Sequence, residues 1–292
     1  MARVLVTGAT GNVGREVVSA LLVRGAKVRV AERSADRVRA ACGGEVEPVP
    51  FDFFEPATFR GAVRGCDALF LMRPPPIQDV KATLNALVDR AREASVASIV
   101  FLSVAGAGKN RAVPHHGVEG HLQAGPRDWT ILRPGFFAQN FEDAYLRDVR
   151  DDDRVYVPAG DGVVTFVDVR DVGEVAAMAL TAPEQHREKA YTLTGPEAVS
   201  FARAAELLSA ALGRMIRYEP ASILGYGLHL RRRGLPPLQA LVQTILHVGL
   251  RFGQAAVVDP TLAQVLGRAP RTLAEYVRDR ADVWRRDAAT YR

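Results

Sequence analysis

The chain is poor in the residues that hold small secreted or metal-dependent folds together. Only two cysteines, Cys42 and Cys66, occur in 292 residues. They are too few for a disulfide framework and lack metal-ligand spacing, so both read as reduced, structural thiols in a cytoplasm. The opening residues MARVLVTG enter an apolar strand without a charged leader, and no secretion signal is expected. Long unbroken apolar runs are also missing. The longest candidate, Leu238 to Val258, is interrupted by Gln239, Gln243, His247 and Arg251 at steps of four. That makes one polar stripe on a helix and points to an amphipathic surface or lid helix instead of a membrane span. There is no internal repeat and no low-complexity linker. The net charge of +5 comes from scattered arginines; without a basic helix or interleaved aromatics, no nucleic-acid partner is expected. The acidic run Asp143, Asp148, Asp151, Asp152 and Asp153 lacks the ordered spacing of a calcium loop. It is interspersed with Arg147, Arg150 and Arg154, so it reads as a solvated loop and no metal is expected.

What is present is a globular composition, 48% hydrophobic, long enough for one large domain or two small ones. It is organised around residues 4 to 14, VLVTGATGNVG. A short apolar run (Val4, Leu5, Val6) gives way to Gly8, Gly11 and Gly14, and helical apolar spacing follows at Val13, Val17, Val18, Leu21 and Leu22. This is strand, glycine turn, helix. Such a turn lets a diphosphate approach the unpaired N–H groups and positive dipole end of a helix, which only residues without a Cβ allow. The spacing is GxxGxxG, as in short-chain dehydrogenase folds. Further strands are expected at Lys27–Ala31, Glu45–Pro50, Asp67–Met72 and Ala97–Ser103, alternating with helices. That alternation predicts an α/β fold with a parallel sheet and a ligand crevice beyond its carboxyl strand ends, where Gly8, Arg33, Asp52, Arg73 and Ser103 all fall.

The second strand ends in Ala31, Glu32, Arg33 and Ser34. An acidic side chain there accepts from a ribose 2′-OH, whereas arginine pairs with a 2′-phosphate. The tip offers both. NADP(H) is favoured if Glu32 turns to solvent or pairs with Arg33, and NAD(H) stays open because of Glu32. Asp52 and Phe53, just past the third strand, fit an adenine amino group and ring; a helix N-cap is the alternative for Asp52.

Taken together, TGATGNVG (7–14), VRVAERSADRV (28–38), FDFFEPATFRGAVRGCDALFL (51–71), IVFLSVAGAG (99–108) and DWTILRPGFFAQNF (128–141) resemble the NmrA-like group of atypical short-chain dehydrogenases. So do FVDVRDVGEVAAMAL (166–180), YTLTGPEAVSF (191–201) and GRAPRTLAEYV (267–277). That group includes quinone reductases, triphenylmethane reductase and catalytically silent redox-sensing regulators. The resemblance implies a Rossmann-type doubly wound sheet over residues 1–150, to which 163–194 return. A smaller, mostly helical substrate or lid domain would span 195–292, with 151–162 contributing. It also implies a diphosphate held by Gly8, Thr10, Gly11, Asn12, Val13 and Gly14, with Arg33 at the ribose phosphate. Asp52 and Phe53 would meet adenine, and Met72, Arg73 and Ser103 would lie along the nicotinamide half. The loop Arg133 to Asn140 would border nicotinamide and substrate, with Phe136, Phe137 and Asn140 as candidate pocket residues; the alternative is a strand-to-loop corner whose phenylalanines fill core. Tyr226, in the segment read as a lid (222–258), is a further pocket candidate. The leucines of that segment could equally pack a core or a homodimer surface.

The wider superfamily protonates a developing alkoxide with a tyrosine whose pKa a lysine four residues later lowers. Between Ile99 and Trp129 there is no tyrosine, and Lys109 is the only lysine. His115 and His116, at a helix start, are the candidate proton donors; exposed residues at a helix terminus are the alternative reading. The expectation is therefore an NADPH-dependent reductase of conjugated or aromatic, quinone-like molecules, for which hydride alone gives a delocalised product. A non-catalytic dinucleotide sensor is the second reading.

Overall fold

A computed structural model describes residues 2–286. In chain order its elements are β1 (Arg3–Thr7), α1 (Asn12–Val23), β2 (Lys27–Glu32), α2 (Ala35–Cys42), β3 (Glu47–Pro50), α3 (Phe59–Val63), β4 (Ala68–Met72), α4 (Ala86–Glu93), β5 (Ser98–Leu102), α5 (Pro114–Gln123) and β6 (Trp129–Pro134). Then come β7 (Phe136–Phe137), α6 (Leu146–Arg150), β8 (Arg154–Val157), β9 (Val163–Val164), β10 (Phe166–Val167), α7 (Val169–Thr181), β11 (Lys189–Leu193), β12 (Val199–Ser200) and α8 (Phe201–Leu212). The last are β13 (Arg217–Pro220), α9 (Ile223–Arg232), α10 (Pro237–Leu250), α11 (Thr261–Leu266) and α12 (Leu273–Asp279).

The chain forms two compact units. The first comprises residues 2–134, 169–193 and 261–268. Its sheet has the order β11-β6-β5-β4-β1-β2-β3, and every pairing is parallel. Strands this apolar on both faces need cover on both. Leu5, Leu69, Leu71, Ile99, Phe101 and Ile131 pack with Val63, Leu84, Leu87, Val88, Val118 and Leu122 from α3, the α4 segment and α5. The alternate residues Val4, Val6, Phe70 and Val100, also fully buried, point the other way. On that face α7 packs on α1 and runs over β4, β5 and β6. Gly173 makes this contact possible, since a Cβ there would lie 2.8 Å from the Glu16 backbone carbon. The strands run one way, but the order in which they are added reverses at β1, which is flanked by β2 and β4, and this is the switch point at which doubly wound sheets open a crevice.

The second unit comprises residues 135–168, 194–260 and 269–286. Residues 135–150, grouped with the sheet in the sequence analysis, thus belong here, and 261–268 return to the first unit. Three short pairings, β7 with β10, β8 with β13 and β9 with β12, frame a core of Phe141, Tyr145, Phe166, Phe201, Tyr226 and Trp284. Residues 163–168, expected to return to the sheet with 163–194, also belong to this unit; β9 and β10 are separated at Thr165, whose N–H donates to the Ala255 carbonyl instead of a neighbouring strand (2.8 Å). The acidic run is spent on basic side chains. Asp148 pairs with His229 (3.0 Å) and Arg233 (2.9 Å), Asp152 with Arg233 (2.7 Å), and Asp153 with Arg286 (2.9 Å). Among the described residues no helix is long and apolar enough to cross a membrane.

Candidate dinucleotide site

The glycine turn is held from below. The Thr7 hydroxyl donates to the Phe70 carbonyl (3.2 Å) and accepts from the Met72 N–H (3.0 Å), locking the end of β1 to β4. Gly8 turns the chain with φ +67°, a left-handed conformation that favours glycine, and its carbonyl accepts from the Gly11 N–H (3.0 Å). The three glycines differ in what a Cβ would meet. At Gly8 it would strike the Met72 side chain, and at Gly14 the turn's own backbone, 2.1 Å from the Gly8 oxygen. At Gly11 it would meet only that oxygen at 3.4 Å, so the space above Gly11 is open. Helix α1 starts at this open position with no side-chain cap and no acidic residue in its first turn. A helix start that no side chain caps, beside open space, is what a phosphate needs. On this observation the turn fits a dinucleotide.

A cavity of about 360 Å³ continues from the turn. It gathers Gly8, Thr10, Gly11, Arg33, Asp52, Phe53 and Met72 of the expected set and adds Glu32, Arg37 and Phe54. Of the two arrangements expected for Glu32, solvent or Arg33, the side chain does not turn to solvent, and it meets Arg33 through the backbone. Its carboxylate accepts from the Thr10 hydroxyl (3.1 Å) and the Arg33 N–H (2.9 Å), with Arg37 3.8 Å away. Arg33 extends outward and approaches Asp52 at 3.6 Å. The other Asp52 oxygen accepts from the Phe54 N–H (2.9 Å), so this side chain closes its own loop as well as lining the cavity. Phe53 is buried edge-on against Phe51, whereas Phe54 is exposed and is the freer aromatic surface. Arg37 lies in the first turn of α2, directly behind the Ser34 N-cap that follows the tip of β2, and this position after the strand tip could have marked it in the sequence. A larger depression of about 920 Å³ lies around α3 and α4, lined by Arg60, Arg64 and Arg90, away from the carboxyl ends of the strands.

Other expected residues are turned to different tasks. The Arg73 guanidinium donates to the carbonyls of Pro74 (3.2 Å), Pro75 (3.0 Å) and Ile77 (2.5 Å), and so ties down the proline loop that walls the cavity. Ser103 is buried and donates to Glu119, which Arg133 grips through two nitrogens (3.1 and 2.6 Å). This buried Ser103, Glu119 and Arg133 set escaped the sequence reading, because its members lie on three separate elements.

Pro114 opens α5, where its missing N–H costs nothing, and sets the two histidines on the first turn. His116 donates from Nδ1 to the Ala107 carbonyl (2.9 Å). His115 accepts from Arg73 at Nε2 (3.4 Å). Burial first, then the Arg73 charge, push the His115 pKa down from 6.5 to about 4, against a smaller opposing pull from Glu119. At neutral pH it is an uncharged imidazole, which corrects its reading as a protonated donor. His247, in the second unit, is held at about 4 mainly by burial. The unfolded chain takes up protons near 6.5 that these folded-state sites refuse until about 4, so stability falls as pH is lowered through that window. Urea midpoints measured at pH 7 and pH 5 will show the drop. His115→Gln will reduce it by about 1–2 kcal/mol, allowing for the partial exposure of this ring.

In the second unit, Phe136 and Phe137 are half-buried in β7, and Phe136 meets His247 edge-on (5.7 Å). Asn140 is half-buried, its carbonyl accepting from the Tyr145 N–H (3.0 Å). Tyr226, expected in a pocket, instead lies in the core of the unit, packed on His247 (5.2 Å) and almost wholly buried.

A glycine turn at the switch point of a parallel sheet, opening onto a cavity with an acidic and two basic side chains at the tip of β2, defines a doubly wound α/β protein of the dinucleotide-binding class. The chain belongs to the NmrA-like family, whose sequence pattern matches residues 1–277. It is 33% identical over 282 residues to an NAD(P)H azoreductase of Xenophilus azovorans, covering 95% of this chain and 98% of that one. The fold is shared with the Citrobacter sp. triphenylmethane reductase complexed with NADP(H), with a TM-score of 0.82, 24% identity, and coverage of 94% and 99% of the two chains. It is likewise shared with the NADPH-dependent quinone oxidoreductase QOR2 of Escherichia coli, with a TM-score of 0.82, 23% identity, and coverage of 94% and 98%.

Proposed function

We propose that this protein is an NAD(P)H-dependent oxidoreductase that reduces conjugated or aromatic small molecules of the quinone or azo type. The observation that carries the reading is the open space over Gly11, continuous with a cavity whose far side presents Glu32, Arg33 and Arg37. Gly8, Gly11 and the first turn of α1 would hold the diphosphate, Asp52 and Phe54 would border adenine, and Met72 lies under the turn. NADP(H) is the favoured form, with NAD(H) admitted. The Glu32 charge is offset by Thr10 and Arg37, and Arg33 and Arg37 would exchange their present partners, Asp52 and Glu32, for a 2′-phosphate between them. The bound dinucleotide supplies a hydride. The protein's own part is to orient the two reactants and exclude water. Ser103 spends its proton on Glu119 and His115 is uncharged, so an acceptor whose reduced form delocalises negative charge suits these residues better than a simple ketone. Phe137 and Asn140 are the proposed substrate-side residues of the second unit. The azoreductase and the two structurally similar reductases support this class.

The test is to follow NADPH oxidation at its absorbance band over quinones, azo dyes and triphenylmethane dyes. Turnover on at least one class is expected, and none on any acceptor overturns the reading. Arg33→Ala will weaken NADPH about tenfold, the worth of one charge-assisted hydrogen bond, and leave NADH unchanged. Equal losses for both cofactors would remove Arg33 from the phosphate site.

A further inference from the structure

Helix α10 carries no Asp, Glu, Lys or Arg in its 14 residues. Of the polar stripe read from the sequence, Gln239 and Arg251 at its ends are exposed, whereas its middle, Gln243 and His247, turns inward beside Thr244. Thr244 and His247 are buried and Gln243 is half-buried, whereas Leu238, Leu241, Val242, Ile245 and Leu246 are between 47% and 72% exposed. The exposed positions follow i, i+3, i+4, i+7 and i+8, so they form one continuous stripe.

The orientation is fixed by polar bonds on the inner side. The His247 Nδ1–H donates to the Gln243 carbonyl (2.7 Å), which leaves Nε2 to accept from the buried Tyr145 hydroxyl. The Thr244 hydroxyl donates to the Ala240 carbonyl (2.7 Å). Rotating the leucines inward would unpair the Tyr145 phenol inside the core. Helix α9 packs beside α10, with Gly227 facing Thr244, and adds Leu224 (87% exposed), Leu228 (52%) and Ile223.

We propose that the α9–α10 hairpin is the contact surface of a homodimer, in which the α10 helices of two copies pack antiparallel about a two-fold axis near Val242. Three observations favour a second copy over any other occupant. The face lacks charge and is apolar, as the centres of subunit interfaces are, and a copy of itself offers the same chemistry over the same extent. Eight exposed aliphatic side chains at roughly 100 Å² each give about 800 Å², the share one partner brings to an interface of standard size. Arg231 and Arg232 are exposed at one end of the hairpin, while Arg233 is taken up by Asp148 and Asp152. Antiparallel packing sets the two Arg231–Arg232 pairs roughly 20 Å apart, at opposite ends of a 14-residue helix, whereas parallel packing would bring like charges together. A lipid surface is a poorer match. Interfacial helices carry Lys and Arg on the polar face, and that of α10 has neither: Thr244 and His247 are buried, Gln243 is half-buried and Gln239 is exposed but uncharged.

Sedimentation or light scattering of the whole protein at micromolar concentration is expected to give twice the 31.7 kDa chain mass. The double variant Leu241→Glu with Ile245→Glu is expected to raise the dimer dissociation constant at least about a hundredfold while leaving the far-UV circular dichroism unchanged, since both side chains are already exposed. Val242→Cys is expected to give a disulfide-linked dimer under mild oxidation that the parent chain does not form. A monomeric parent protein, a double variant that stays dimeric, or a monomer that binds phosphatidylglycerol vesicles through these residues would each overturn the proposal.

Discussion

Gly11→Ala is expected to fold almost as the parent protein does and to lose about ten- to a hundredfold in affinity for the dinucleotide, whereas Gly14→Ala is expected to damage the fold itself. The contrast comes from where each Cβ would go. At Gly11 the methyl group meets only the Gly8 oxygen, at ordinary contact distance (3.4 Å), and the backbone φ of −88° suits any residue. The structural cost is the loss of a good N-cap residue, about 1 kcal/mol or less. That methyl group, however, occupies the space a phosphate would use, and one misplaced methyl in a tight seat costs about 1–3 kcal/mol. At Gly14 the methyl group would lie 2.1 Å from the Gly8 oxygen and 2.7 Å from the Ala9 Cα. Both are backbone atoms, so relief requires moving α1 off the turn, with a loss of about 2–3 kcal/mol of stability as well as binding. Calorimetric titration with NADPH, paired with denaturation midpoints, separates the two effects. Parent-like affinity in Gly11→Ala would remove the turn from the binding site.

The second large effect is expected at Glu119. Its carboxylate is 1% exposed and is gripped by the two nitrogens of Arg133 while accepting from Ser103. The pair lies close under Gly108, where a Cβ would fall 2.6 Å from an Arg133 nitrogen. Glu119→Ala leaves a guanidinium and a buried hydroxyl without their acceptor, and breaking such a pair from one side costs about 3–5 kcal/mol. Glu119→Gln keeps the shape and one acceptor oxygen and should recover part of that loss. Urea denaturation measures both variants, and a cost below about 1 kcal/mol for Glu119→Ala would show that Arg133 finds another partner. Because Ser103 joins this set, loss of Glu119 also frees its hydroxyl. A change in turnover beyond the change in folded fraction would then mark Ser103 as facing the reaction.

Much of the site was legible because its parts are neighbours in the chain. Strand, glycine turn and helix follow one another within residues 4 to 23, and steric rules at Gly8 and Gly14 act between atoms a few residues apart. The alternation of apolar runs with helical spacing likewise dictated a parallel sheet, and with it a crevice at the carboxyl strand ends. Glu32 and Arg33 announced the ambiguity over the ribose by their position alone. What the string of residues left open was direction. Periodicity divides α10 into an apolar and a polar face without saying which one turns inward. That choice fell to Tyr145, about a hundred residues away, whose buried phenol needs the His247 nitrogen. The same holds for Glu32, turned inward by Thr10, and for His115, whose charge depends on burial beside Arg73. Local sterics and hydrophobic spacing are written in sequence order, whereas the pairing of buried polar groups depends on which distant elements the packed sheet and core bring within hydrogen-bond reach.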